Sequence, residues 1–144
     1  MNHMLDVRKG KPSASDAEAN ELCPGRHAMS LGMKDQPTPQ SLTGDKIHQW
    51  LFDPTSVELE GYDRVIAGKC LQQREALMDL MWDDWRRNPP KIIQEDRLWY
   101  RQEKFSGVPD YVAIRDGLCL VADYKTGPIK VKNAADNRQL MWLA

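Results

Sequence analysis

Apolar residues before position 90 recur every three to four positions, as in helices, and after it they alternate, as in strands. Ser13 to Leu22 predicts a short helix with Ser13 or Ser15 as N-cap, Glu18 three residues after Ser15, and Cys23-Pro24-Gly25 as its end. Gln36 to Gln40 predicts a proline-punctuated loop, and Gly44 to Phe52 a second helix capped by Thr43, with Ile47, Trp50 and Leu51 on its apolar side and Pro54 beyond its end. Gly61 to Arg87 predicts the longest helix, with apolar residues at 62, 65, 66, 70, 77, 78, 81, 82 and 85 and a stop at Asn88-Pro89-Pro90. Ile92 to Tyr100, Glu103 to Ile114 and Leu118 to Tyr124 then read as three strands, with Arg115-Asp116-Gly117 turning between the last two. Beyond Gly127 and Pro128, Asn133 to Ala144 reads as the opening of another helix. Residues 1–12 read as a flexible lead and 13–144 as one mixed α/β (α+β) domain.

Composition narrows the function classes. The 144 residues are 41% hydrophobic and 28% charged, as expected of a folded soluble chain. Lys plus Arg is 20 and Asp plus Glu is 21, a net charge of −1, which excludes a binder working by bulk positive charge but leaves room for a local basic face. No apolar run is long enough to span a membrane, and Met1 to Lys11 lacks the apolar stretch of a secretory signal. Cys23, Cys70 and Cys119 are widely spaced with no CxxC, which argues against a disulfide framework or a zinc ribbon and fits a reducing cytosol.

The chemistry gathers on the predicted hairpin. Asp116-Gly117 is a strong signal for a two-residue type I′ turn. With that loop Arg115 pairs with Leu118, and continuing the register brings Asp110 opposite Asp123. Opposed side chains share one face with Cβ atoms about 4.5–5.5 Å apart. Two carboxylates that close repel, so either one takes up a proton or a cation sits between them. A divalent ion with oxygen ligands resolves the conflict. Strand alternation puts Lys125 on the same face as Asp123 and Tyr124 on the other. Two carboxylates and an ammonium suit phosphodiester hydrolysis: the carboxylates hold a metal that polarises the phosphate and acidifies a water, and the lysine steadies the growing negative charge. A one-residue slip of register would separate the pair.

Phe105-Ser106-Gly107-Val108-Pro109-Asp110, then Val121-Ala122-Asp123-Tyr124-Lys125-Thr126-Gly127, then Asn137-Arg138-Gln139-Leu140 resemble the PD-(D/E)XK nuclease superfamily, and most of all its RecB-like and Cas4-like exonuclease branch with its phage-encoded members. Gly44-Asp45-Lys46-Ile47-His48 resembles that branch's Gly-x-x-x-His helix, and Ser13-Ala14-Ser15 with Cys23-Pro24-Gly25 resembles the entry of phage relatives, so the ordered set runs from about residue 13 to 143. The resemblance implies a restriction-endonuclease-like core: N-terminal helices, a three-stranded, mostly antiparallel sheet and the start of a C-terminal helix. It implies His48, Asp110, Asp123 and the backbone carbonyl of Tyr124 as metal ligands, Lys125 as the catalytic lysine, and Gln139 as a group orienting the lysine or a phosphate. Glu95 matches a recurrent glutamate and takes a secondary role at most; pairing with Lys91 or Arg97 is its structural alternative.

Leu143 stands where the family usually has a tyrosine, and the family fold normally continues with the rest of that helix and a fourth strand, so the resemblance predicts a domain short at its C-terminus. Cys23 matches the first of the four cysteines that hold an iron–sulfur cluster in some relatives, but Cys70 and Cys119 lack the spacing of the rest, and no cluster is expected; Cys119 reads as a small buried or site-edge residue. The implied cofactor is Mg²⁺ or Mn²⁺ and the implied substrate DNA, in phage or mobile-element recombination or repair alongside a recombination partner protein. Arg97, Arg101, Lys104, Lys130, Lys132 and Arg138 are the basic residues available near the site. Trp82, Trp85 and Trp99 are available for stacking on bases, though the helix stripe favours core packing for the first two. The alternative is a catalytically inactive relative that uses the fold to bind DNA or a protein.

Overall fold

The structure is a computed structural model that describes residues 10–33, 36–100, 102, 104–128 and 130–144. Most of the predicted lead, together with Arg101 and Glu103, lies outside the described residues. The described chain is mixed α/β, with helices α1 (Ala17–Leu22), α2 (Arg26–Ser30), α3 (Pro39–Phe52), α4 (Gly61–Met81) and α5 (Arg138–Leu143). Its strands are β1 (Lys91–Ile93), β2 (Leu98–Tyr100), β3 (Phe105–Gly107), β4 (Tyr111–Arg115) and β5 (Leu118–Ala122). Short 3₁₀ turns, Ala14–Asp16 and Ala134–Asp136, lead into α1 and precede α5. No described helix is long and apolar enough to cross a membrane.

Several boundaries differ from the sequence reading. The segment 36–40 is not all loop, because α3 begins at Pro39. Thr38, not Thr43, is its N-cap: the Thr38 hydroxyl accepts from the Ser41 amide, the Ser41 hydroxyl accepts from the Thr38 amide, and Pro39 takes the position where a missing N–H costs nothing. The first predicted helix opens as a 3₁₀ turn with no side-chain cap, and the Ser15 hydroxyl bonds to that of Ser13 instead. α4 ends at Met81, well before Arg87. Residues 82–88 form turns, with the Arg87 and Asn88 amides donating to the Asp84 carbonyl while Arg115 grips the Asp84 carboxylate. Part of the apolar stripe is also misassigned: Tyr62, Val65 and Leu77 face solvent, and the buried line runs through Ala67, Met78 and Trp82.

Each of the first two predicted strands is broken in two. Glu95 adopts the left-handed conformation at φ +54° between β1 and β2, and Val108 to Asp110 interrupt the second between β3 and β4. The result is an antiparallel sheet of order β1-β4-β5 and a separate antiparallel pair, β2-β3. Turn and register of the central hairpin follow the sequence: Arg115 pairs with Leu118, Tyr111 with Ala122, and Asp116 and Gly117 sit at φ +54° and +76°, the positive values a type I′ turn requires.

The sheet packs on α3 and α4 through a core of Ile47, Trp50, Leu51, Ala67, Met78, Trp82, Tyr111, Ala113 and Tyr124. A second layer joins the N-terminal 3₁₀ turn, α1, the β2-β3 pair and α5. Its centre is tight. A Cβ at Gly107 would lie 2.6 Å from Leu143 and 2.9 Å from Ala14, so only glycine lets these three elements meet. Phe105 stacks on Tyr100 and packs against Trp142 beside them. The seam between the two layers runs along the end of β5.

Candidate functional site

That seam collects the predicted site residues. Asp110 and Asp123 are the pair just beyond Tyr111 and Ala122, where the chain leaves the ladder. Asp110 Oδ2 accepts the backbone N–H of Tyr124 at 2.5 Å, which ties the strand ends together at this point. Asp110 also faces His48 from α3, with Nδ1 3.3 Å from Oδ1. The other imidazole nitrogen, Nε2, is 2.9 Å from the Tyr124 carbonyl. With a carboxylate on one side and a carbonyl on the other, both ring nitrogens donate when the ring is protonated. The hydrogen bond to Asp110 leads in holding the His48 pKa above its usual value, against the opposing effect of burial.

Asp123 is placed differently. Its Oδ1 accepts the Gln139 amide at 2.7 Å. Its Oδ2, shut away from solvent and without hydrogen-bond geometry, forms an ion pair with the Lys125 ammonium. Lys125 donates in turn to Gln139 Oε1 at 3.0 Å, closing a triangle of Asp123, Lys125 and Gln139. Burial raises the Asp123 pKa most; Lys125 opposes the rise and the charge of Asp110 adds to it. The carboxylates therefore stand within range of each other's charge, as the register requires.

Tyr124 joins the two halves. Its backbone meets Asp110 and His48, its ring lies edge-on to the imidazole, and the ring itself is buried in the main core. The far end is held by Arg74 from α4, which donates to the Tyr124 hydroxyl at 3.1 Å and lies over the Tyr111 ring. Arg74 escaped the sequence reading because its long-range partner carries no local signal. Glu95 belongs to the same electrostatic group: burial raises its pKa first, then the charge of Asp110, while His48 opposes. The Arg97 guanidinium donates to the Ser106 hydroxyl at 2.7 Å.

The remaining predictions divide. Lys130, Lys132 and Arg138 border a cleft of about 320 Å³ that Lys125 and Gln139 also line. Trp82 is buried in the core and Trp85 packs against it, as the stripe predicts. Cys119 is exposed on the outside of β5, which corrects its reading as a buried or site-edge residue. Arg101 lies outside the described residues.

The donors are two carboxylates and a backbone carbonyl, hard oxygens of the kind Mg²⁺ and Mn²⁺ prefer. Asp123 Oδ2 is buried and met by the Lys125 ammonium, so a cation already balances the charge of this oxygen. Among the described residues no three His, Cys, Asp or Glu side chains are grouped to hold a metal ion; His48 lies against Asp110 and the Lys125 ammonium against Asp123. Searches against protein-family models, curated proteins and solved structures found no match.

Proposed function

We propose that the protein is a divalent-metal-dependent deoxyribonuclease, an exonuclease of the PD-(D/E)XK type built on a restriction-endonuclease-like core. The observation that carries this reading is the junction of Asp110, Asp123, Lys125 and Gln139 at one end of a hairpin, with His48 delivered from α3. The ordered resemblance of the surrounding segments supports it.

Asp110, Asp123 and the Tyr124 carbonyl would hold Mg²⁺ or Mn²⁺, with His48 beside them. The bound ion would supply Lewis acidity toward a phosphate oxygen and toward a water. Asp110 is oriented by the Tyr124 amide and Asp123 by the Gln139 amide, so neither carboxylate has to be ordered when substrate arrives. Lys125, tethered by Gln139, places a positive charge where negative charge grows on the phosphate and where the attacking oxygen sheds its proton. His48 bridges Asp110 and the Tyr124 carbonyl and fixes their separation.

The test is digestion of end-labelled linear and closed circular DNA with Mg²⁺ or Mn²⁺. The reading predicts cleavage that begins at ends, spares the circle, and falls at least about a hundredfold in Asp123→Ala and in Lys125→Ala. Undiminished cleavage in both variants would remove the site as placed here. DNA binding without cleavage would favour the second reading, an inactive nuclease-fold binding module. The engagement of both carboxylates by His48 and Lys125 is the observation on that side.

A further inference from the structure

The cleft beside Lys125 and Gln139 is rimmed by Lys130, Lys132 and Arg138, yet two of these cations are already engaged by carboxylates from across the second layer. Glu18 forms an ion pair with Lys132, and Glu21 Oε2 lies 3.1 Å from Arg138 Nε. Glu21 is steadied further by the Trp142 indole N–H at 3.2 Å. Both glutamates lie on α1, three residues apart and therefore on one face, while Ala14 and Ala17 anchor the segment in the interior. All four charged side chains are about half exposed. Pairs of that kind are individually weak and exchange readily for another anion.

We propose that Glu18 and Glu21 hold the place of nucleic-acid phosphates on this basic cleft, so that a phosphodiester strand reaches the site by displacing them. The inference rests on the nucleic-acid part of the function proposed above. Lys125, Lys130, Lys132 and Arg138 line one cleft, so a strand held by Lys132 and Arg138 would lie beside Lys125, which faces Asp123. The carboxylates of α1 then act as a built-in competitor. They weaken binding of any short or weakly held anion and are overcome by a strand that engages several cations together.

The test uses the full chain without divalent cations and measures binding of a labelled single-stranded oligonucleotide by fluorescence anisotropy across a range of salt. E18Q/E21Q keeps shape and the acceptor for Trp142 but removes both competing charges. It is expected to bind roughly two- to thirtyfold more tightly than the parent at low salt, the effect of two exposed ion pairs. The slope of log affinity against log salt should stay near the parental value, because the bound strand engages Lys132 and Arg138 in both proteins. Adding K132Q and R138Q should return affinity to the parental level or below.

Unchanged affinity in E18Q/E21Q overturns the proposal, as does absence of binding by every variant. A gain that survives K132Q/R138Q also overturns it, since the quadruple variant has the parent's net charge and lacks both cations, so that gain would come from elsewhere on the molecule. If E18Q/E21Q folds poorly, E18Q alone against E18Q/K132Q makes the same comparison. Tighter binding without cleavage in Mg²⁺ would defeat the nuclease reading and leave this proposal standing; cleavage with unchanged binding would do the reverse.

Discussion

At the scale of single residues, the site is a set of charges that stabilise or oppose one another, and the balance is readable through pH. His48 has a folded pKa raised above 6.5, chiefly by its hydrogen bond to Asp110. The folded state therefore holds the proton more tightly than the unfolded chain. The stabilisation is complete below about pH 6.5 and disappears as pH rises through the higher folded value. Melting temperatures of the parent and His48→Gln should accordingly differ most near pH 6 and converge at alkaline pH; a constant gap would contradict the assigned interaction. Asp123 has the opposite consequence for its charged form. Burial raises its pKa above 3.8, so proton uptake favours the fold and that contribution is lost as pH rises through the folded value. Asp123→Asn, which is neutral at every pH, should melt no lower than the parent at neutral pH without metal while losing activity. A stability cost with retained activity would show that the carboxylate serves packing instead.

At the scale of elements, the hairpin was legible because one dipeptide determined it. Asp116-Gly117 specifies a turn with both φ values positive, the turn determines the register, and the register brings Asp110 and Asp123 to the same end of the sheet. Other boundaries were hidden for identifiable reasons. The proline pair in Gln36 to Gln40 suggested a loop, whereas Thr38, Pro39 and Ser41 form a capping box that starts α3 early. The breaks that divide the strands depend on Glu95 in a conformation unusual for a non-glycine residue, and on the meeting of β3 with α5. Neither depends on local periodicity.

The same meeting gives an element-scale prediction. Gly107→Ala places a methyl where Leu143 and Ala14 already sit, and should cost about 1–3 kcal/mol in chemical denaturation, the usual effect of overpacking. Combining it with Leu143→Ala should recover part of the loss, a non-additivity absent for distant sites. Because Gln139 rides on α5, Gly107→Ala should also impair the Lys125–Gln139–Asp123 triangle; a double-variant cost equal to the sum of the two single costs would contradict the packing described.

Across the whole molecule, the site draws on both layers. His48, Asp110, Asp123, Tyr124 and Lys125 come from the α3–α4–sheet layer or its rim, and Gln139 comes from the layer that also contains α1. The sequence carried the order of these residues along the chain. It did not carry Arg74 behind Tyr124 or the Glu18–Lys132 and Glu21–Arg138 pairs, since each joins residues at least 50 positions apart. Burial is also uneven: α3, α4 and the sheet share the main core, whereas α2, which packs on α1, has no buried residue, and Leu22, Met29, Leu31 and Met33 are exposed. Hydrogen exchange should therefore be slowest in α4, β4 and β5 and fastest in α1 and α2. Uniform protection would mean that α1 and α2 are held as firmly as the main core.

Calorimetric titration of Mn²⁺ into the metal-free protein bears most directly on the proposal that Asp110 and Asp123 share one ion. The account predicts one binding event per chain that is lost in Asp110→Ala and again in Asp123→Ala, with both variants still folded. Binding that survives either substitution unchanged, or no binding by the parent, would contradict it.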